Sequence, residues 1–184
     1  MTKLLLIASG SIGVLHLSSY VAAAKQEGWD VRCVMTAATR IVPPSTVAAF
    51  CPVYAEDNAG ELRVAHIELA GWASAVAVIP ATANMLAKIA AGIGDNLATT
   101  TLLAVRIAVA VFPNMESTMW TNPIVQRNVE SIRSFGYQVW SKPRTMYSVG
   151  RGAYEEGIGI PIPMQFIEFM AELNQEDKAK PEDR

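Results

Sequence analysis

The sequence predicts a single α/β domain of three layers, a doubly wound parallel sheet covered by helices on both faces. Three observations predict it. Five short apolar runs recur along the 184 residues: KLLLIA at 3–8, DVRCVMT at 30–36, AVAVIPA at 75–81, IAVAVFP at 107–113 and YQVWS at 137–141. The intervals between them are long enough for crossover helices. The runs are also nearly continuously apolar rather than alternating, as strands buried on both faces are. In such a sheet, ligands sit beyond the carboxyl ends of the strands.

The first run follows Met1-Thr2-Lys3 and superficially looks like the apolar core of a signal peptide. It is too short, and Ser9-Gly10-Ser11 cuts it without a small-residue cleavage pattern, so it reads as a buried strand. Ser9-Gly10-Ser11-Ile12-Gly13 then joins this strand to a helix that ends near Gly28, the expected place for a C-terminal glycine. Glycines there permit close backbone approach, and a helix start offers unpaired N–H groups to an anion, so Gly10, Ser11 and Ile12 form a candidate phosphate cradle or a plain tight turn. The second strand delivers Thr36 and Thr39 to the same edge, where their hydroxyls complete a phosphate site or cap the next helix. Pro80 and Ala81 end a buried strand, Thr82 and Asn84 place an alcohol and an amide at a helix start, and Asp95-Asn96 repeat such groups before another apolar helix. The segment 142–163 carries Gly150, Gly152, Gly157 and Gly159, too many glycines for a regular element, and reads as a long functional loop. The domain is expected to span 1–173. From Asn174 the chain is charged and nearly without apolar residues, a frayed tail over 174–184.

Composition narrows the function classes. Fifteen basic against 17 acidic residues leave a net charge of −2, with no excess positive charge to neutralise phosphates along a nucleic acid. With 51% hydrophobic and only 17% charged residues, part of the apolar surface is expected to face another subunit. Pro80, Lys88, Asp95 and Arg106 interrupt the most hydrophobic region before the ~20 apolar residues of a membrane span accumulate. A cytoplasmic protein without membrane or metal is expected. Cys33 and Cys51 lack metal-ligand spacing and read as buried small hydrophobes.

The sharper signals are PATANM at 80–85, GIGDNLATT at 92–100 and PNMESTMW at 113–120. Their joint order, with HIELAGWASAVAVIPATAN before and NPIVQRNVE after, resembles the homo-oligomeric flavin-containing cysteine decarboxylases over roughly residues 3–142. Within that family it resembles the epidermin- and mersacidin-type lantibiotic decarboxylases. PATAN is similar to the family's flavin-binding element and PNMESTMW to the element that shapes its active site. The resemblance implies a Rossmann-like flavoprotein fold, in agreement with the sheet derived from the residues, and trimers or dodecamers built from trimers, with the flavin at a subunit interface. It implies flavin contacts from Gly10, Ser11, Ile12, Thr36, Thr39, Pro80, Ala81, Thr82, Asn84, Asp95, Asn96 and Met115. The mersacidin-like spacing points to FAD, with FMN as the alternative.

By the same resemblance His66 falls on the family's catalytic histidine, a general base, for which an imidazole with an ordinary pKa near ~6.5 is suited. Glu116 and Met119 join it in the catalytic set, and Asn114 contacts substrate; Arg151, in the glycine-rich loop, either binds the peptide carboxylate or clamps the substrate, or is a solvated loop arginine. One departure is Glu116, which stands where the family has asparagine. An amide donates hydrogen bonds to a substrate carboxylate, whereas an ionised glutamate only accepts and would repel it. A protonated Glu116, one that orients His66, one that points away while another donor binds the peptide end, and a weakened site all stay open. A second departure is YSVGRGAYEEG, which has no cysteine where the related phosphopantothenoylcysteine decarboxylases carry an essential one. The resemblance therefore implies oxidative decarboxylation of the C-terminal cysteine of a precursor peptide to an aminoenethiol, which lanthionine-forming enzymes could cyclise. A phosphopantothenoylcysteine decarboxylase and a noncatalytic flavin-binding regulator are the rival readings.

Overall fold

The computed structural model describes residues 1–55, 65–148 and 150–178. Six parallel strands run in the order β3-β2-β1-β4-β5-β6: β1 (Lys3–Ala8), β2 (Asp30–Met35), β3 (Val53–Ala55), β4 (Ala75–Ala81), β5 (Val109–Pro113) and β6 (Gln138–Val139). The strand order reverses at the β1–β4 pair, so the loops after these two strands diverge and leave a crevice at the carboxyl edge.

Burial on both faces explains the unbroken apolar runs. Along β1, Leu4, Leu6 and Ala8 point into one core while Leu5 and Ile7 point into the other, and all five are inaccessible to solvent. The first core is closed by α1 (Leu17–Gln26) and α8 (Pro163–Lys178), the second by α3 (Ala65–Trp72), α4 (Ala83–Ala91), α5 (Leu97–Ala104) and α7 (Pro123–Ser134). An aromatic group fixes α8 on the sheet: Phe112 of β5 meets Phe166 at 5.3 Å and Phe169 at 5.5 Å, and Tyr20 of α1 meets Phe166 edge-on at 5.1 Å. Burying Phe166 completely is worth about 2–3 kcal/mol in transfer free energy.

Helix ends follow local chemistry. Gly92, at φ +65°, ends α4 in the left-handed conformation that glycine adopts without penalty. Thr82 caps the start of α4 by accepting from the Met85 N–H, and Asn96 and Thr99 form a reciprocal capping box on α5. Short helices α2 (Pro44–Ala48) and α6 (Ser117–Trp120) complete the set.

Three features differ from the sequence expectation. β3 is only three half-buried residues, too short to leave a periodic signal. The 142–163 segment is not irregular: β7 (Pro143–Ser148) and β8 (Ala153–Ile158) pair as an antiparallel hairpin. Its glycines have separate roles, Gly150 and Gly152 lying in the turn with Gly152 at φ +64°, and Gly157 pairing with Arg144 in the ladder. Finally, α8 continues through Asn174 to Lys178, because Leu173 is buried and the Asn174 amide reaches the Thr2 hydroxyl at 3.4 Å. The rest of the expected tail, 179–184, lies outside the described residues. Among the described residues no helix is long and apolar enough to cross a membrane.

Candidate active site

At the carboxyl edge, the loops after β1, β4 and β5 meet the β7–β8 hairpin around a cavity of about 280 Å³. Gly10, Ser11 and Ile12 line it from β1, and Thr82 and Ala83 from β4. Asn114, Met115, Glu116, Ser117 and Met119 come from the segment after β5. Tyr147, Ser148 and Glu155 close it from the hairpin.

Two side chains hold these loops together. Ser9 donates its backbone N–H (3.1 Å) and its hydroxyl (2.9 Å) to the Pro80 carbonyl and accepts from the Thr82 N–H at 3.0 Å, joining the ends of β1 and β4. Pro80 follows a cis peptide bond. Asn114, only 5% exposed, accepts through Oδ1 from the Ser11 hydroxyl (2.8 Å) and the Gly13 N–H (3.2 Å), joining β5 to the loop after β1. Both Oδ1 partners are donors, which fixes the amide orientation and leaves Nδ2 without a hydrogen bond to the described residues. Gly10 is required where the loops after β1 and β2 meet, since a Cβ there would lie 2.1 Å from the Ala38 carbonyl oxygen.

Glu116 stands at the N-cap of α6 without capping it. Its carboxylate turns to the hairpin and accepts from the Ser148 hydroxyl at 3.0 and 2.8 Å. The Ser148 hydroxyl in turn accepts from the Arg151 N–H at 3.2 Å. Glu155 faces the same cluster. The neighbouring Glu116 side chain, followed by the Arg151 guanidinium at 3.3 Å, holds its carboxyl below the usual carboxylate range. An isolated bridge between Met115 and Ile158 anchors the hairpin alongside.

Of the residues singled out from sequence, Gly10, Ser11, Ile12, Thr82, Asn114, Met115, Glu116 and Met119 converge on the cavity. Pro80 and Ala81 lie directly beneath it as the end of β4, and Arg151 touches its hairpin wall from the exposed turn. Asn84 is exposed on the first turn of α4 and does not line it. Thr36 and Thr39 line a neighbouring cavity of about 260 Å³, where Thr39 donates its hydroxyl to the Thr36 carbonyl. Asp95 and Asn96 are placed differently: they organise the start of α5, and Asp95 pairs with Lys88 at 2.6 Å, whose hydrogen bond holds its carboxyl below the ordinary range. His66, half-buried on the first turn of α3, does not line this cavity. Sequence reasoning missed Ser117, Tyr147, Ser148 and Glu155 as lining residues, and Ser9 as a clamp. The hairpin residues carried no local motif, and only the antiparallel pairing brings them to the site.

The residues fit a flavin. The Thr36 hydroxyl is buried without a partner next to the loop where Gly10 meets Ala38, a polar seat for a phosphate oxygen. The cavity of about 280 Å³ offers the apolar side chains of Ile12, Met115 and Met119 to a flat ring.

Comparison with known proteins agrees. Residues 1–160 match the Flavoprotein family. The chain is 37% identical over 164 residues to mersacidin decarboxylase of Bacillus sp. (strain HIL-Y85/54728), spanning 88% of this chain and 84% of that protein. It is 30% identical over 179 residues to epidermin decarboxylase of Staphylococcus epidermidis, spanning 96% and 97%. It is also 35% identical over 173 residues to the coenzyme A biosynthesis bifunctional protein CoaBC of Vibrio vulnificus (strain YJ016), spanning 91% of this chain but 41% of that protein. Among solved structures, EpiD in complex with the substrate peptide DSYTC superposes with a TM-score of 0.85 at 28% identity, covering 93% of this chain and 99% of that one. A mutant PPC decarboxylase complexed with pantothenoylaminoethenethiol gives 0.84 at 27%, covering 95% and 98%. The FMN-dependent cysteine decarboxylase SpaF gives 0.78 at 29%, covering 97% and 98%. The fold, the loop cradle and these matches together mean that the chain belongs to the flavoprotein family, as a homologue of the mersacidin and epidermin decarboxylases.

Proposed function

We propose that this protein is a flavin-dependent decarboxylase acting on a cysteine at the C-terminus of a lantibiotic-type precursor peptide. The carrying observation is the convergence of PATAN and PNMESTMW residues, Thr82 with Asn114, Met115, Glu116, Ser117 and Met119, on one cavity at the β1–β4 switch point. The likeness to mersacidin decarboxylase and to EpiD with its cysteine-ended peptide supports the same reading.

A bound flavin would accept the two electrons removed from the substrate. Oxidising the cysteine side chain to a thioaldehyde puts an electron-accepting C=S next to the carbon that bears the carboxylate. That C–C bond then breaks, carbon dioxide leaves, and its electron pair enters the thiocarbonyl system as an aminoenethiolate. The protein orients the peptide, excludes water with Ile12, Met115 and Met119, and supplies a base. We assign the base to His66, arriving from a neighbouring copy, because a half-buried His66 on α3 does not line its own cavity. Asp95 and Asn96 are assigned to the same neighbour contact, in a trimer or a dodecamer of trimers. On the mersacidin-type spacing the cofactor is FAD. Heat release and mass analysis of the flavin tests this, and FMN, named for the SpaF neighbour, is the alternative.

The likeness to CoaBC and PPC decarboxylase favours phosphopantothenoylcysteine as a second substrate reading. Against it, the hairpin segment has no cysteine, and Cys33 and Cys51 are buried on and beside β2 and β3. The test is mass spectrometry of cysteine-ended peptides incubated with the flavin-loaded protein. A loss of carbon dioxide plus two hydrogens is expected, abolished in His66→Ala with flavin content retained. Conversion of phosphopantothenoylcysteine but of no peptide would establish the second reading, and no conversion of either would leave a flavin-binding regulator.

A further inference from the structure

The neighbouring cavity of about 260 Å³ lies over the ends of β2 and β3, with Met35, Val42, Pro43, Pro44 and Ala55 as its apolar walls. The two cavities abut where Gly10, which lines the first, meets Ala38, whose neighbour Thr39 lines the second. Beside this junction stands Thr36, only 8% exposed, which also lines the neighbouring cavity and whose hydroxyl has no partner. Leaving a buried hydroxyl unpaired costs about 1–3 kcal/mol, and a ligand oxygen at that point would remove the cost. On the rim, Arg40 is exposed and makes no ion pair among the described residues. No carboxylate lines this cavity among them either.

Strand order gives these groups a direction. The first cavity sits over β1, β4 and β5, the junction over β1 and β2, and the neighbouring cavity over β2 and β3. They form one line across the carboxyl edge, roughly 10–15 Å long at two to three strand spacings. A flavin ring in the first cavity with its phosphate at the junction accounts for a mononucleotide, and what a dinucleotide adds continues along the crevice. We propose that the neighbouring cavity takes the adenylyl half of FAD, with Arg40 on the outer phosphate, the Thr36 hydroxyl donating to a phosphate oxygen at the junction, and adenine against Val42, Pro43 and Pro44. Arg40 is then the residue that separates FAD from FMN, because its guanidinium makes charge-assisted hydrogen bonds to a phosphate that FMN lacks. Without a carboxylate in the lining, nothing repels the pyrophosphate and nothing grips a ribose hydroxyl, so phosphate and base carry the recognition. The inference rests on the FAD reading given above.

Flavin exchange tests this independently of turnover. The purified protein is equilibrated with equal amounts of FAD and FMN, freed of unbound flavin and heated, and the released flavins are separated and identified by mass. Wild type is expected to retain FAD in about fivefold or greater excess. In Arg40→Ala the ratio of FAD to FMN should fall by about fivefold or more with total flavin per chain unchanged. Arg40→Lys, which keeps a point charge without the planar fork, should fall between the two. Arg40 is exposed, so neither substitution disturbs the core. The inference is overturned by an Arg40→Ala ratio equal to that of wild type, or by a loss of total flavin at constant ratio, which would put Arg40 on the phosphate that both cofactors share. Failure of the FAD reading is seen separately, in wild type alone, as no excess of FAD.

Discussion

Single side chains at the carboxyl edge decide what the cavity offers. With Oδ1 committed to Ser11 and Gly13, Asn114 presents only donors, so its amide shapes both the loop and the chemistry. Gly10 is equally constrained, because a methyl group there meets the Ala38 backbone at van der Waals overlap. Gly10→Ala should introduce about 1–3 kcal/mol of overpacking strain at the point where the loops after β1 and β2 touch. The expected outcome is a protein that folds but retains about tenfold less flavin, read from visible absorbance after purification. Undiminished flavin content would show that the cofactor does not depend on this contact. Both residues were legible in the sequence as motif members, but their mutual contacts were not, since Asn114 lies 101 residues from Gly13.

At the scale of elements, the β7–β8 hairpin is the part the sequence did not disclose. The four glycines of 142–163 look like loop composition, and only the pairing of Pro143 with Ile158 through Ser148 with Ala153 shows the ladder. This explains why Ser148 and Glu155 escaped notice while Arg151 did not. The hairpin is attached through Met115–Ile158, the Arg144 side chain on the Ile160 carbonyl at 2.6 Å, and the Glu116–Ser148–Glu155 cluster. Glu155 titrates below its ordinary value of 4.5, so the ionised form is the one the fold favours. Its contribution is complete above that value and is lost as pH falls through the lowered folded pKa. Hydrogen exchange of hairpin amides, corrected for intrinsic rates, should therefore show protection at pH 6–7 that drops below about pH 4. Glu155→Gln should lose that drop, whereas an unchanged acid-side drop in the variant would assign it to another group.

For the whole molecule, strand-forming runs and crossover lengths were enough to predict the parallel sheet. The apolar residues of β1, β4 and β5 are buried on both faces, which is what their lack of alternation encodes. The site was half legible: residues immediately after strand ends arrived at the cavity, whereas His66, Asp95 and Asn96 did not, because the sequence does not fix where the starts of α3 and α5 lie relative to the loops after β1, β4 and β5. The two-sided core also governs thiol chemistry. Burial, with Cys51 nearby, pushes the Cys33 thiol well above its ordinary range, and burial raises Cys51 to about 11 against the opposing charge of Lys25. Both thiols should stay protonated and silent toward a thiol reagent at pH 8 in the folded protein and react together on unfolding. Rapid labelling of either in the native state would contradict that packing.

A second, larger hollow of about 490 Å³ runs from His16 and Tyr20 to Arg144 and Pro161, and Ile12, Asn114 and Tyr147 belong to its wall as well as to that of the first cavity. The two chambers thus share a party wall of three side chains. Whatever fills one chamber leans on the same Asn114 amide that furnishes the other, so neither can be remodelled alone.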